Sequence, residues 1–382
     1  MDKLRNLKER ICSYDNLMAA YESAAEDKHY RPEVLIFSWD LEKNLLALKE
    51  DLENGTYEVG PYREFYVRYP KPRLVMALGF RDRVVQWAIY RQINPFVDKR
   101  FIAHSYGCRE EKGSLAAALC LLNWVQLVSR KPDAGDWYII KGDVSKFFYR
   151  VDHETIQSLY DDLIDDEWFH WLIGAIINNQ NVPFGLPVGM KPDDCPRDQR
   201  LFDVGMPIGN LTSQETANIY LDKLDQFCKH TLKLRYYVRY MDDFCILVKG
   251  RKNAERILAR IGDFLRESLK LDLSDKSRIK PATERIEFVG FDITPHGLRL
   301  RDKTVRHIKS VLRHLMWLYA DGCISLDKAL EKMQCYRGMT KHANAYYLLV
   351  WMEKNIVFQR GRKRHECTCE GSSWQGVLQH RV

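Results

Sequence analysis

Two adjacent carboxylates, in the run Tyr240-Met241-Asp242-Asp243, are the side chains of this sequence whose types and spacing best suit chemistry. The segments on either side, 236–240 and 244–248, are rich in aromatic and β-branched residues, so we expect the pair at the tip of a β-hairpin. Side-by-side carboxylates repel each other, and a divalent cation removes that repulsion by taking both as ligands. Mg²⁺ prefers such hard oxygen ligands together with substrate phosphates. The pair therefore indicates metal-assisted phosphoryl transfer.

A second acidic position is needed to hold two ions, and Asp143 is the natural candidate. It follows a buried-strand signal at 137–140 that runs directly into Gly142. Two ions clamped between this carboxylate and the pair would stabilise both the attacking and the leaving oxygen of an in-line displacement. One ion would lower the pKa of a 3′-hydroxyl, and the other would bind a triphosphate. The Asp-Asp pairs at 161–162 and 193–194 lack the hairpin context and are given no role.

Helical and strand patterns surround these carboxylates. Apolar residues at helical spacing predict helices over 39–55, 153–180, 213–227, 253–270 and 303–319. Strand patterns cover 62–69, 73–78 and 286–293, and the stretch 181–206, rich in Pro and Gly, predicts an irregular connection. In the helix at 303–319 the apolar residues share one face, and the basic Arg306, Lys309 and Arg313 share the other.

The composition is that of an ordinary globular protein. Its 382 residues are 46% hydrophobic and 29% charged with a net charge of +7, which excludes collagen-like and wholly disordered chains. The longest nearly apolar run, 115–128, is too short to cross a bilayer, and the first ten residues lack the apolar stretch of a signal peptide. The ten scattered cysteines are typical of reduced thiols. We therefore expect a cytoplasmic protein without membrane contact, whose basic excess permits a polyanionic partner.

The motifs, taken in order along the chain, resemble those of the reverse transcriptases. Tyr240-Met241-Asp242-Asp243 matches the Y-x-D-D box of that family, and the run from Asp143 to Phe148 matches the first catalytic block of its bacterial branch. The resemblance covers about residues 61–293, through further blocks at Arg73 with 81–86, 105–109 with 112–113, 271–276 and 288–291. An ordered set of this kind is a far stronger signal than any single box.

The resemblance implies an α+β, right-hand polymerase fold, with fingers, a palm made of an antiparallel sheet with helices, and a small helical thumb. On this interpretation residues 1–60 are an N-terminal helical extension and 61–298 are interleaved fingers and palm. Residues 299–358 are the helical thumb, and 359–382 are a flexible basic tail. In that tail His365, Cys367 and Cys369 are spaced too tightly for a usual structural zinc site. Its Arg360, Arg362, Lys363 and Arg364 are expected to contact RNA electrostatically.

Site residues follow from the resemblance position by position. The catalytic and metal-binding residues are Asp143, Asp242 and Asp243, with the Val144 carbonyl assisting, and the cofactor is two Mg²⁺ ions, with Mn²⁺ as the alternative. In the nucleotide pocket Arg73 would grip the triphosphate, Phe148 would exclude a ribose 2′-hydroxyl, and Lys276 would protonate pyrophosphate. The remaining pocket residues are Ile208, Gly209 and Gln214. The primer and template contacts are Tyr240, Met241, Phe288, Val289, Gly290, Arg306, Lys309 and Arg313.

One block narrows the choice within the family. Most reverse transcriptases have Gln-Gly followed by Ser-Pro in the block lining the nucleotide pocket, whereas this chain has the run from Ile208 to Gln214, I-G-N-L-T-S-Q. That form is similar to the enzymes of diversity-generating retroelements, which copy a template RNA and misincorporate opposite its adenines. Ile208 lacks the hydrogen bonds of Gln, so the check on a mismatched pair would be looser. The competing interpretation is that Ile208 is simply a core residue.

The resemblance also implies partners, and it leaves alternatives open. The expected partners are a template RNA, a cDNA or primer, dNTPs, and a small basic helical accessory protein, in a bacterial or phage-encoded system. The first alternative is another bacterial reverse transcriptase, of the retron, defence-associated or group II intron-like kind. The second is a non-catalytic RNA-binding protein on a polymerase scaffold, against which the three intact carboxylates argue.

Overall fold

A computed structural model describes residues 3–67, 73–178, 183–190 and 192–361. The sequence-predicted basic tail from Arg362 on, with His365, Cys367 and Cys369, lies outside them. The elements in chain order are α1 Leu7–Cys12, α2 Tyr14–Ala25, α3 Pro32–Trp39, α4 Leu41–Glu53, β1 Arg63–Val67, β2 Arg73–Ala77, α5 Phe80–Val97, α6 Ser114–Ser129, β3 Trp137–Asp143, α7 Phe147–Arg150, α8 His153–Leu163, α9 Glu167–Ile177, α10 Leu211–Gln226, β4 Tyr236–Tyr240, β5 Asp243–Lys249, α11 Arg251–Leu269, β6 Arg278–Pro281, β7 Ile286–Phe288, β8 Phe291–Thr294, β9 Gly297–Leu300, α12 Asp302–Ala320, α13 Leu326–Thr340 and α14 Tyr346–Asn355.

These helices and antiparallel strands confirm the predicted α+β class. The chain forms two compact units that interleave along the sequence. The first comprises residues 1–109, 142–235 and 256–277, and the second comprises 110–141, 236–255 and 278–382. None of the described helices is long and apolar enough to cross a membrane.

Helices dominate the first unit, and α5 is their centre. It packs against α1, α2, α3 and α10, and its buried residues include Val84, Val85 and Ile89. Helix α2 begins where the Ser13 side chain accepts a hydrogen bond from the Asn16 amide, which satisfies one of the unpaired N–H groups of its first turn. Burial of these faces gives the unit a continuous apolar core.

The segment 153–180 is largely helical, as predicted, but the helix is interrupted. Helix α8 ends at Leu163, and α9 begins after Asp166, whose carboxylate accepts hydrogen bonds from the Phe169 and Leu7 amides. The interruption was not predicted, because it depends on Asp166 acting as an N-terminal cap. The same unit contains the two-stranded antiparallel sheet of β1 and β2.

The loop that precedes α10 lies against β2. The Met76 amide donates a hydrogen bond to the Ile208 carbonyl at 3.1 Å. Gly209 follows with a φ of 117°, and a Cβ atom built there would be 3.0 Å from Cγ1 of Val75. Only glycine adopts this backbone conformation without strain, and only glycine leaves room for the strand.

Sheets form the core of the second unit. Its four-stranded sheet has the order β4-β5-β3-β6, and helix α6 packs against β4 and β5. A second sheet has the order β7-β8-β9, with antiparallel pairing throughout. The predicted single strand at 286–293 is wrong: β7 and β8 form a hairpin that turns at Val289 and Gly290, whose φ values are 42° and 93°.

Three helices, α12 to α14, end the described chain. The predicted apolar face of the first is confirmed, because Ile308, Leu312 and Leu315 are buried while Arg306 and Arg313 are exposed. Its neighbours along the chain are α13, which packs on α12, and α14, which packs on α13.

A buried carboxylate connects α5 to the chain before β1. Asp82 is only 3% exposed, and it accepts hydrogen bonds from the Tyr57 hydroxyl at 2.9 Å and the Gly60 amide at 3.3 Å. Arg81 pairs with Asp51 on α4 at 2.6 Å. Burial raises the pKa of Asp82, and the hydrogen bonds from Tyr57 and Gly60 oppose that rise.

Replacing Asp82 should destabilise this unit. Asp82→Ala leaves the buried Tyr57 hydroxyl without its acceptor, so we expect a loss of about 2–4 kcal/mol of unfolding free energy. The matched control is Asp263→Ala, which removes an exposed ion pair with Arg266 on α11 and should cost less than about 0.5 kcal/mol. Equal losses for the two variants in denaturant unfolding would contradict the role assigned to Asp82.

The close approach at Gly209 gives a second stability prediction. Gly209→Ala forces a Cβ atom against β2 at a strained φ and should cost about 1–3 kcal/mol. Gly135→Ala is the control, since a Cβ atom there meets nothing within 4 Å, and it should change stability by less than about 0.5 kcal/mol. Thermal unfolding of both variants checks this, and an unaffected Gly209→Ala protein would refute it.

Candidate active site

The hairpin of β4 and β5 carries the acidic pair at its turn, as predicted. Tyr240 pairs with Asp243, so Met241 and Asp242 are the two turn residues. Met241 has a φ of 53°, a left-handed conformation that is uncommon for a residue with a side chain. The fully buried Arg239 donates a hydrogen bond to the Met241 carbonyl at 3.1 Å. A buried guanidinium therefore supports a strained turn, an arrangement common at functional sites.

Asp243 has a cationic neighbour on the adjacent strand. The Lys141 ammonium on β3 donates to both carboxylate oxygens, each at 2.7 Å. Both side chains are largely buried, with 18% of Lys141 and 25% of Asp243 exposed. A charged pair so placed is screened by solvent much less than a surface pair.

Asp143 is fixed by the segment after α11. Two hydrogen bonds hold its backbone. The Asp143 amide donates to Oγ of Ser277 at 3.3 Å, and the Asp143 carbonyl accepts from the Ser274 amide at 2.7 Å. Val144 is buried and forms a β-bridge with Leu273. The predicted block at 271–276 thus holds the backbone at Asp143, and the exposed Lys276 lies in the same turn.

Each predicted acidic position lies at a strand end or in a turn. Asp143 ends β3 and belongs to the first unit, whereas Asp242 and Asp243 lie at the hairpin turn of β4 and β5 in the second unit. The donor chemistry fits a hard divalent cation, and the Lys141 ammonium shows that Asp243 already takes a cation on both oxygens. Within the described ranges no three His, Cys, Asp or Glu side chains form a ready group for a metal ion. Reverse transcriptases generally use Mg²⁺.

Four of the predicted nucleotide-pocket residues gather around β2 in the first unit. Phe148 and Ile208 both pack, partly buried, against one apolar cluster. Its buried members are Leu74, Met76, Tyr149, Phe184, Leu186 and Cys195. Arg73 is the exposed first residue of β2, and Gly209 lies against that strand. Phe148 and Ile208 therefore pack on the same apolar surface.

Hydrogen bonds fix the loop that carries Ile208. The Asn210 side-chain amide donates to the Tyr62 hydroxyl at 2.9 Å, and the Leu211 amide donates to Oε1 of Gln86 at 2.9 Å. Burial raises the pKa of Tyr62 to about 12, so its hydroxyl stays protonated at neutral pH. Gln214 is half-buried in the first turn of α10, where its backbone amide donates to the backbone carbonyl of Asn210.

The predicted primer contacts lie in the second unit. Phe288 is buried at the end of β7, and Val289 and Gly290 form the turn after it. The Phe288 ring centroid is 5.6 Å from the Lys141 ammonium, so this lysine contacts both the hairpin and Asp243. Tyr240 ends β4 beside the acidic turn.

The basic residues of α12 contact a tryptophan of α14. The Lys309 ammonium lies 4.9 Å, and the Arg313 guanidinium 5.2 Å, from the Trp351 ring centroid. Arg306 is exposed, and its Nε donates to the Asp302 carbonyl. The predicted cationic face is therefore partly ordered by an aromatic ring, which the helical pattern of 303–319 did not reveal.

Sequence reasoning missed Lys141, Ser274 and Ser277. A signal for the lysine was present, because Lys141 and Asp143 are two residues apart and side chains on a strand alternate between faces. A charged residue that directly follows the apolar run at 137–140 within one strand needs a partner. The serines carry no comparable signal, since their role depends on a pairing between distant segments.

Comparison with known proteins identifies the family of this chain. The family model for the reverse transcriptase (RNA-dependent DNA polymerase) matches residues 68–293. Protein YkfC of Escherichia coli (strain K12) is 28% identical over 282 residues, which are 64% of this chain and 70% of YkfC. Group II intron-encoded protein LtrA of Lactococcus lactis subsp. cremoris is 23% identical over 306 residues, 66% of this chain and 50% of LtrA. Since the family match covers more than half of the chain, including both strands with the acidic residues, the chain belongs to the reverse transcriptase family of RNA-directed DNA polymerases.

Proposed function

We propose that this chain copies a template RNA into cDNA, with two Mg²⁺ ions held by Asp143, Asp242 and Asp243. The observation that carries the proposal is the acidic turn of Asp242 and Asp243, supported by Arg239 and Lys141, in a chain that belongs to a family of RNA-directed DNA polymerases. Buried Arg239 and the serine contacts at Asp143 support it, because a site for two ions needs rigid ligands.

The ions would supply electrostatic stabilisation of the attacking and leaving oxygens of a phosphoryl transfer. The chain's own residues do the positioning. The Arg73 guanidinium matches the geometry of a triphosphate, and Lys276 is an exposed cation able to protonate the departing pyrophosphate. The Phe148 ring, fixed on its apolar cluster, would exclude a 2′-hydroxyl and so favour dNTPs. The Val144 carbonyl is proposed as a further metal ligand.

We propose that the primer–template duplex binds to residues of the second unit. Tyr240, Met241 and the turn of Phe288 to Gly290 would position the primer end. Arg306, Lys309 and Arg313 would contact backbone phosphates, which fix the register of a duplex without reading its sequence. We assign the fingers and palm to residues 61–298, the thumb to 299–358 and a helical extension to 1–60.

We further propose that synthesis is error-prone at template adenines, as in diversity-generating retroelements. The run from Ile208 to Gln214 supports this, and the hydrogen bond between Tyr62 and Asn210 holds that run in place. Ile208 contacts an apolar cluster and offers no hydrogen bond to a nucleotide. The proposal includes a structured template RNA and a small basic accessory protein as partners.

A group II intron-type enzyme is the second candidate, favoured by the similarity to LtrA. The genes that flank the coding sequence separate the two candidates. A pair of template and variable repeats with a small accessory gene supports the first, whereas an enclosing intron supports the second.

The Asp242 carboxylate should be essential for synthesis. Asp242→Asn removes a metal ligand and should lower primer extension on an RNA template at least about a hundredfold in Mg²⁺, since the ions contribute several kcal/mol to the transition state.

The matched control is Asp194→Asn, which changes another Asp-Asp pair to which no role is assigned. It should leave extension at the wild-type rate. Undiminished extension by Asp242→Asn would overturn the catalytic assignment.

Ile208 should set the error rate at adenines. Ile208→Gln restores one polar contact worth ~1 kcal/mol, so misincorporation opposite template adenines should fall about fivefold. Ile208→Val keeps the apolar contact and should retain the wild-type spectrum. Sequencing of the cDNA measures both, and an unchanged adenine error rate in Ile208→Gln would rule out this explanation.

A further inference from the structure

We propose that Lys141 is a positioning residue that holds the Asp243 carboxylate in the metal-free protein and competes with the divalent cation for it. The inference rests on the proposed metal site and adds to it a residue with no role so far. It starts from the two 2.7 Å contacts between the ammonium and the carboxylate oxygens.

The surroundings of Lys141 show why a cation at this position needs that carboxylate. In the antiparallel pairing of β3 with β6, Lys141 lies directly opposite Arg278. Like charges opposite each other destabilise a sheet. The neighbours of Lys141 on its own strand, Ile140 and Gly142, are buried. The Asp243 carboxylate pairs with the Lys141 ammonium, whose partial burial without a partner would cost free energy.

The contact between Lys141 and Asp243 also lowers the electrostatic repulsion within the acidic turn. Asp242 and Asp243 are adjacent and half-buried, so without a cation their charges repel each other. The ammonium neutralises one of them and fixes its direction. Because it bonds to both oxygens of Asp243, a divalent cation that uses this carboxylate must weaken or replace at least one of these hydrogen bonds.

The lysine also connects the carboxylate to the hairpin of β7 and β8. Its ammonium is 5.6 Å from the centroid of the buried Phe288 ring, within the range of a cation–π interaction. An ammonium released from Asp243 therefore keeps a favourable contact, which makes the exchange for a metal ion less costly.

Two measurements on the metal-free protein test the proposal, with Mn²⁺ alone as the probe. Lys141→Met keeps the length of the side chain and removes its charge, and Lys141→Arg keeps the charge. In EDTA, Lys141→Met should unfold roughly 2–4 °C below wild type, because the Asp243 carboxylate then loses the ammonium that donates to both of its oxygens. Titration of free Mn²⁺ by electron paramagnetic resonance should show at least about tenfold tighter binding by Lys141→Met, since the competing charge is gone.

Lys141→Arg should remain close to wild type in both measurements, which excludes a role in packing alone. Lys141→Gln serves if Lys141→Met does not fold, because its amide still donates a hydrogen bond but carries no charge, and it should also bind Mn²⁺ more tightly. Equal or weaker Mn²⁺ binding by the uncharged variants would overturn the proposal.

Asp242→Asn distinguishes this inference from the proposed function. If Asp242→Asn weakens Mn²⁺ binding while Lys141→Met leaves it unchanged, the metal site stands and the role of Lys141 fails. If Asp242→Asn binds Mn²⁺ as wild type does, the metal site itself fails, and the competition fails with it.

Discussion

Repulsion between the adjacent carboxylates of Asp242 and Asp243 is the constraint that the hairpin of β4 and β5 has to satisfy. The turn of Met241 and Asp242 places both carboxylates at one end of this hairpin. Two negative charges so close together are unfavourable unless cations balance them. Two basic side chains contact this turn. Arg239 donates a hydrogen bond to the Met241 carbonyl, and Lys141 donates to the Asp243 carboxylate. These two basic side chains thus stabilise the turn that carries the acidic pair.

Apolar packing positions Phe148 and Ile208, the two residues that we propose to line the nucleotide pocket. Phe148 and Ile208 come from distant segments but contact one cluster, and glycine at 209 lets the loop approach β2. The core interpretation and the functional interpretation of Ile208 are therefore compatible, since the residue packs against a core cluster that Phe148 also contacts.

Local patterns in the sequence were enough to predict the acidic hairpin, the strand before Asp143 and the apolar face of α12. Each depends on the spacing of residues within one element. The interruption of the helix at 153–180 and the hairpin at 286–294 were not predicted, because a capping Asp166 and a turn at Val289 look like ordinary members of a helix and a strand. The partner of Lys141 could not be predicted either, since it depends on which distant strand lies next to β3.

We propose that Asp143 and the pair Asp242-Asp243 hold the same ions. Replacement of Mg²⁺ by Fe²⁺, followed by ascorbate and peroxide, cleaves the backbone close to bound iron and tests this directly. We predict cleavage near residue 143 and near residues 242–243 in the same protein, with both cuts lost in Asp242→Asn. Cleavage at only one of the two positions, or cuts that persist in Asp242→Asn, would contradict the account.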